Sequence, residues 1–132
     1  MIEINRVIVA RYPNGGVGDH FSCLMGAWFY AKRTGRSLVV DWRGSRFNPD
    51  PTSTRNCFGH FFEIPSVVGG VPIICGDDVA HLRYKTPIFP DKWTLAMLSG
   101  TAHLKHTREE IDAINRLVNF NDDRPEPTVI FN

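Results

Sequence analysis

The chain has 132 residues, with 15 basic and 14 acidic side chains and a formal charge of +1, so bulk charge directs it neither to nucleic acid nor to an anionic membrane. A composition of 42% hydrophobic and 22% charged residues is that of an ordinary globular domain, taken as one domain over residues 1–132, and a domain of this size buries roughly 68% of its unfolded surface. Cys23, Cys57 and Cys75 are widely spaced and form no C-x-x-C pair, which argues against a disulfide framework or a zinc cage and for reduced thiols. No apolar run approaches the ~20 residues of a membrane span, and Met1-Ile2-Glu3-Ile4-Asn5-Arg6 lacks the plan of a secretory signal. The expected compartment is the cytoplasm, with no membrane and no nucleic acid as partner.

The first element is a strand over Arg6–Ala10, β-branched and continuous rather than alternating, as in a parallel sheet covered on both faces. Tyr12-Pro13-Asn14-Gly15 is turn chemistry and ends it. Gly15-Gly16-Val17-Gly18-Asp19-His20 then leads into a helix whose apolar face is predicted at Phe21, Leu24, Met25, Trp28 and Ala31, with Asp19 as its cap, Lys32 and Arg33 at its end, and Gly35 as its stop. Ser37–Trp42 follows as a second buried strand, completing a βαβ unit with a right-handed crossover.

Arg43–Asn56 is a long loop leaving the carboxyl end of that strand, and Phe58–Ile64 is compact and aromatic, a short helix against the sheet. Gly70–Cys75 reads as a third strand with its exit at Gly76-Asp77-Asp78. Residues 86–106 lack a clean period apart from a short helix near Leu95. Thr107 and Glu110 form a capping box ahead of Ile111, Ile114, Leu117 and Val118, and Thr128–Phe131 is a last strand. A last strand with an uncovered edge predicts pairing, as in a homodimer. The expected fold is therefore α/β, a Rossmann-like parallel sheet with flanking helices.

The glycine loop turns backbone N–H groups at a helix N-terminus toward an anion, which makes Gly16 and Gly18 candidate ligand contacts. It is not a complete dinucleotide fingerprint, because Phe21 stands where the third glycine belongs, and no Gly-Lys-Ser/Thr follows for a phosphate-binding Walker loop. The alternative is that these glycines only permit a sharp turn and Asp19 only caps a helix. His20 sits near the positive helix end, which favours its neutral form and suits a hydrogen bond to a hydroxyl or phosphate, or else it is a packed histidine. Trp42 and Arg43 leave the second strand where open α/β sheets place ligands, a tryptophan suiting a sugar face and an arginine a phosphate, against a purely structural arginine. His103 and His106 have the spacing of one helical face but no third ligand nearby, and no metal site is expected. Asp77-Asp78 reads as a cation site, a base or a strand end. No Ser-His-Asp or Cys-His constellation assembles from spacing.

Gly16-Val17-Gly18-Asp19, the run from Ala31 to Leu38 and above all Val40-Asp41-Trp42-Arg43-Gly44-Ser45 resemble the N-terminal part of the nodulation protein Z family of fucosyltransferases. Val71–Cys75 with Asp77-Asp78, and Phe89–Trp93, are similar more weakly and in the same order. The resemblance implies the N-terminal domain of a GT-B glycosyltransferase, in which two Rossmann-like domains face a cleft. It implies fucose transfer from GDP-fucose to an oligosaccharide acceptor without a metal or other cofactor. It places Gly16, Gly18, Asp19, His20, Trp42 and Arg43 along the donor and acceptor cleft, with no catalytic residue assigned. Asp19-His20 stand where related GDP-fucose enzymes often carry Asn-Gln, and a carboxylate repels a diphosphate unless protonated or paired. The arginine that steadies the leaving diphosphate belongs to the C-terminal domain of such enzymes, so this chain alone is expected to be inactive. The alternatives are a non-enzymatic sugar-binding module and a small nucleotide-binding Rossmann protein.

Overall fold

A computed structural model describes residues 2–12, 15–50, 55–101, 104–120 and 122–132 of the chain. Its strands are β1 (Ile2–Glu3), β2 (Val7–Arg11), β3 (Ser37–Asp41), β4 (Val67–Val68), β5 (Val71–Ile74), β6 (Leu82–Arg83), β7 (Ile88–Phe89) and β8 (Thr128–Phe131), and its helices are α1 (Val17–Thr34), α2 (Phe58–Phe61), α3 (Leu95–Ser99) and α4 (Arg108–Phe120). Six strands form one sheet in the order β4-β5-β3-β2-β8-β7, parallel except for β4, while β1 and β6 pair separately. The α/β fold with a mostly parallel sheet is the one expected from the sequence.

Strand β2 is central, and all five of its residues are buried. Its side chains alternate between two cores. Ile8, Ala10 and Tyr12 join Leu38, Val40 and Trp42 beneath α1, whereas Val7, Val9, Val39 and Ile130 face Val79, Tyr84, Ile88, Trp93 and Leu98 from the irregular segment. Burying each aliphatic side chain on this scale contributes about 1.5–3 kcal/mol, which is why a run with no polar alternation specifies a strand covered on both sides.

Helix α1 begins earlier than expected and rests on a different face. Its buried residues are His20, Ala27, Tyr30, Ala31 and Thr34, while Met25 is half exposed. The spacing of three and four is satisfied by both sets, and the small Ala27 and Ala31 let the helix axis approach the sheet. The larger Phe21, Leu24 and Trp28 pack only along its flank. Gly35 ends the helix in the left-handed conformation at φ 68°, as a helix-stopping glycine should.

The last strand corrects the expectation of an uncovered edge. β8 lies between β2 and β7, and all four of its residues are buried. Its parallel register with β2, Val7 against Thr128 through Ala10 against Phe131, puts it in the interior, so the premise for dimerisation through this strand is gone. The capping box of α4 is formed: the Glu110 N–H donates to Thr107 Oγ1 at 3.2 Å and the Thr107 N–H to Glu110 Oε1 at 2.9 Å. Ile111, expected in the apolar stripe of α4, is exposed, while Leu117 is buried. No helix among the described residues is long and apolar enough to cross a membrane.

Candidate functional site at the carboxyl edge of the sheet

The parallel strands β2, β3, β5 and β8 all end on one edge, where the glycine loop and the 42–47 segment lie side by side. Asp19 is the third residue of α1 rather than its cap, and its carboxylate reaches back to accept from the Gly16 N–H at 3.1 Å. Gly15 is needed for this, because a Cβ there would collide with that carboxylate. Gly16 and Gly18 are different. Gly16 has φ −82°, and a Cβ at either position would meet nothing within 4 Å. Neither glycine is required by the backbone or by packing within the described residues.

His20 is buried, and both its ring nitrogens are engaged. Nδ1 donates to the Gly16 carbonyl at 2.9 Å, which fixes the tautomer, so Nε2 accepts from the Ser45 hydroxyl at 2.9 Å. Trp42 and Phe47 hold the ring edge-on at 4.9 and 5.0 Å. Burial pushes its pKa down, against the opposing pull of the Gly16 hydrogen bond and the Asp19 charge. Burial thus disfavours the charged imidazolium, and the ring joins the glycine loop to the 43–47 segment with both nitrogens engaged.

The Asp41–Ser45 run is resolved residue by residue. Asp41 is fully buried, and its two oxygens accept from Arg43 Nε and Nη2, each at 3.0 Å. Arg43 Nη2 also donates to the Leu98 carbonyl at 2.8 Å, and Nη1 to that of Ser99 at 3.2 Å, so the guanidinium caps the C-terminus of α3. Burial disfavours its charge, but the bonds to Asp41 outweigh it and raise the pKa. Trp42 is 2% exposed and packs edge-on against Phe58 at 5.0 Å. Gly44 has φ 85°, and a Cβ there would lie 2.6 Å from the Tyr12 hydroxyl and 2.8 Å from Thr101 Cβ. Here glycine is obligatory on both counts. Trp42 and Arg43 therefore sit beneath the edge rather than on it.

Sequence reasoning passed over Arg11. It is 1% exposed, pairs with Asp41 at 3.8 Å, donates to the Gly100 carbonyl at 3.1 Å and lies over the Trp93 ring at 5.2 Å. Two guanidiniums thus share one buried carboxylate, leaving a positive charge under the carboxyl edge. An arginine closing a β-branched strand was the available signal. Two hollows flank the first turns of α1. One, of about 390 Å³, is lined by Val17, Trp42, Phe47, Phe61 and Phe62; the other, of about 320 Å³, lies between α1 and α4 beside Cys23, Asn115 and Asn132. His103 lies outside the described residues, and the two ring nitrogens of His106 lie within hydrogen-bond reach of Glu110 and Asn132. Asp77 accepts from the Asn56 N–H at 2.9 Å at the start of a 3-10 turn. No cluster of His, Cys, Asp or Glu suited to a metal occurs among the described residues.

A central parallel strand, a glycine loop opening a helix and a mostly parallel sheet flanked by helices define a Rossmann-like α/β fold. The family model described as Nodulation protein Z (NodZ) matches residues 4–132. The chain belongs to the nodulation protein Z family. It is 42% identical over 89 residues to nodulation protein Z of Bradyrhizobium diazoefficiens, covering 67% of this chain and 23% of that protein. It is 35% identical over 130 residues to that of Sinorhizobium fredii, covering 96% and 38%. The crystal structure of fucosyltransferase NodZ from Bradyrhizobium superposes with a TM-score of 0.76 at 34% identity, covering 96% of this chain and 43% of that one. NodZ alpha-1,6-fucosyltransferase co-crystallized with GDP gives 0.77 at the same identity and coverage, and the crystal soaked with GDP-fucose gives 0.76. The chain thus spans less than half the length of these relatives.

Proposed function

We propose that this chain supplies the N-terminal α/β half of a fucosyltransferase that moves fucose from GDP-fucose to a saccharide hydroxyl. The observation that carries this reading is the pair Gly16 and Gly18. Neither has a positive φ or, among the described residues, a crowded Cβ position, and side-chain-free backbone beside a helix N-terminus suits close approach of a ligand. Family membership and the relatives solved with GDP and GDP-fucose support the choice of ligand.

In transfer, the bond between fucose C1 and the diphosphate oxygen breaks and GDP leaves with the electron pair. The acceptor oxygen forms the new bond to C1 and loses its proton. The leaving diphosphate needs N–H donors and positive charge. On this reading Gly18 offers a first-turn N–H while the Gly16 N–H is held by Asp19, and the excess charge of Arg11 and Arg43 over Asp41 is buried at the same edge of the sheet. Asp19 organises the loop, while His20, Trp42 and Arg43 position it from below. This reading assigns no proton acceptor and no direct diphosphate arginine to the described residues.

The test is to join this chain to the remainder of the Bradyrhizobium relative. The 132-residue chain alone is expected to release no GDP from GDP-fucose, and the joined protein to transfer fucose. A joined protein that folds and binds GDP yet transfers to no saccharide would refute the reading.

A further inference from the structure

The hollow beside the first turn of α1 has a chemistry of its own. Its lining is four aromatic rings and a valine: Val17, Trp42, Phe47, Phe61 and Phe62, around about 390 Å³, within the ~300–1,000 Å³ of small-ligand sites. Three of these apolar side chains are exposed at one spot, Val17 at 52%, Phe61 at 55% and Phe62 at 37%. A fold gains nothing by keeping such a cluster in water, which marks it as a contact surface. The platform is also set in advance. Phe62 packs on Phe58, Phe21 and Trp42 at centroid separations of 5.2, 5.3 and 6.0 Å, and Phe61 stands against it at 64° to form a corner.

We propose that this corner seats the apolar face of a neutral hexopyranose, the ring that presents the accepting hydroxyl. The proposal rests on the fucosyltransferase reading. Among the described residues the lining itself is uncharged, and the one guanidinium nearby, Arg46, lies over the Phe47 ring at 5.9 Å, so the surface offered is chiefly aromatic, which suits the C–H face of a sugar. An alpha-1,6 linkage, the activity named for a solved relative, requires an acceptor hexose with a primary hydroxyl on C6. Such a ring has an apolar face for the aromatic corner and a hydroxyl rim. Val17, which walls the hollow, is the first residue of α1, whose first-turn N–H groups have no partner within the helix. The hollow thus adjoins the loop assigned to the donor.

The experiment titrates the 132-residue chain with a neutral glucose tetrasaccharide, whose rings carry C6 hydroxyls, with GDP as a separate probe, and follows backbone amide shifts. The saccharide is expected to move the signals of Val17, Phe47, Phe61 and Phe62. Phe61→Ala removes an exposed ring and leaves the core intact; it should weaken saccharide binding at least tenfold without altering the response to GDP, and Phe61→Trp should restore it. Saccharide shifts that map elsewhere or are absent, or shifts that survive Phe61→Ala, would overturn the proposal. So would concentration-dependent shifts at these residues with sedimentation as a dimer, because a second copy would then cover the hollow. In the joined protein, Phe61→Ala should raise the acceptor KM tenfold at constant KM for GDP-fucose. An unchanged acceptor KM overturns the seat while transfer stands. Saccharide binding at the hollow without any transfer overturns the transfer reading while the seat stands.

Discussion

Replacing Arg43 with methionine separates a buried structural arginine from a ligand-binding one. The substitution keeps an apolar stem of similar reach but removes two bonds at 3.0 Å to Asp41 and two to the α3 carbonyls at 2.8 and 3.2 Å. Asp41, with no exposed surface, is left with its own loop N–H at 3.1 Å and Arg11 at 3.8 Å. Breaking a buried pair in this way costs about 3–5 kcal/mol. For a chain of this length each kcal/mol shifts Tm by roughly 3–5 °C, so the midpoint should fall by about 10–20 °C. Thermal unfolding followed by circular dichroism measures it, with Asp41→Asn/Arg43→Met as the second arm. The double variant should recover none of the loss, since Asp41→Asn also takes from the buried Arg11 its counter-charge. A fall of less than about 3 °C for Arg43→Met would show that the guanidinium does not hold the edge together.

Four further outcomes can be checked. Gly18→Ala should raise unfolding free energy by about 0.5–1 kcal/mol, since the Cβ meets open space inside a helix, while weakening GDP-fucose binding; lower stability in chemical denaturation would contradict the packing described. Gly44→Ala should instead destabilise by more than about 1 kcal/mol, from its φ of 85° and the Tyr12 and Thr101 contacts, and the two glycine variants should move urea midpoints in opposite directions. Burial raises the Glu110 pKa, but the Thr107 N–H, His106 and Lys92 outweigh it and hold it at about 2; that stability is complete above the unfolded value near 4.5 and fades as pH falls toward 2. Wild type should therefore lose more Tm than Glu110→Gln between pH 6 and 3, and equal losses would exclude the contribution. The lowered His20 pKa acts in a higher window: stability is full above about pH 6.5 and declines below it as the unfolded chain takes up a proton that the folded chain resists, so His20→Gln should flatten the profile between pH 7 and 5.

The order of the βαβ unit was legible because β2 and β3 are uninterrupted apolar runs and the helix between them ends in a glycine that must adopt positive φ. The buried face of α1 was not, because two stripes share the same spacing and the choice falls to small residues whose signal is weak: Ala27 and Ala31 matter for how near they let the sheet come. The Asp41–Ser45 run was legible as a specific feature but not in its role. Arginine and tryptophan beside a loop suit ligands by type, and only the three-dimensional pairing of Arg43 with Asp41 and of Trp42 with Phe58 shows them occupied. Gly16 and Gly18 read in the sequence as ligand contacts or as a sharp turn, and their backbone does not itself need glycine. Phe61 and Phe62 drew notice as a compact aromatic patch, but which rings face outward depends on where α2 docks, which is set by residues far along the chain.

The buried charges at the carboxyl edge also bear on how such a signature can be moved between proteins. Asp41 is answered by Arg43 two residues on and by Arg11 thirty residues back, and both arginines hold carbonyls of the 98–100 stretch. Grafted into another α/β scaffold, Asp-Trp-Arg-Gly-Ser would carry one side of a three-part contract into a host that lacks the other two. Among natural relatives, an exchange at position 11, 41 or 43 should then be met by a compensating exchange at another of the three. The unit of inheritance at this edge is the triad with its strapped peptide, not the five letters that advertise it.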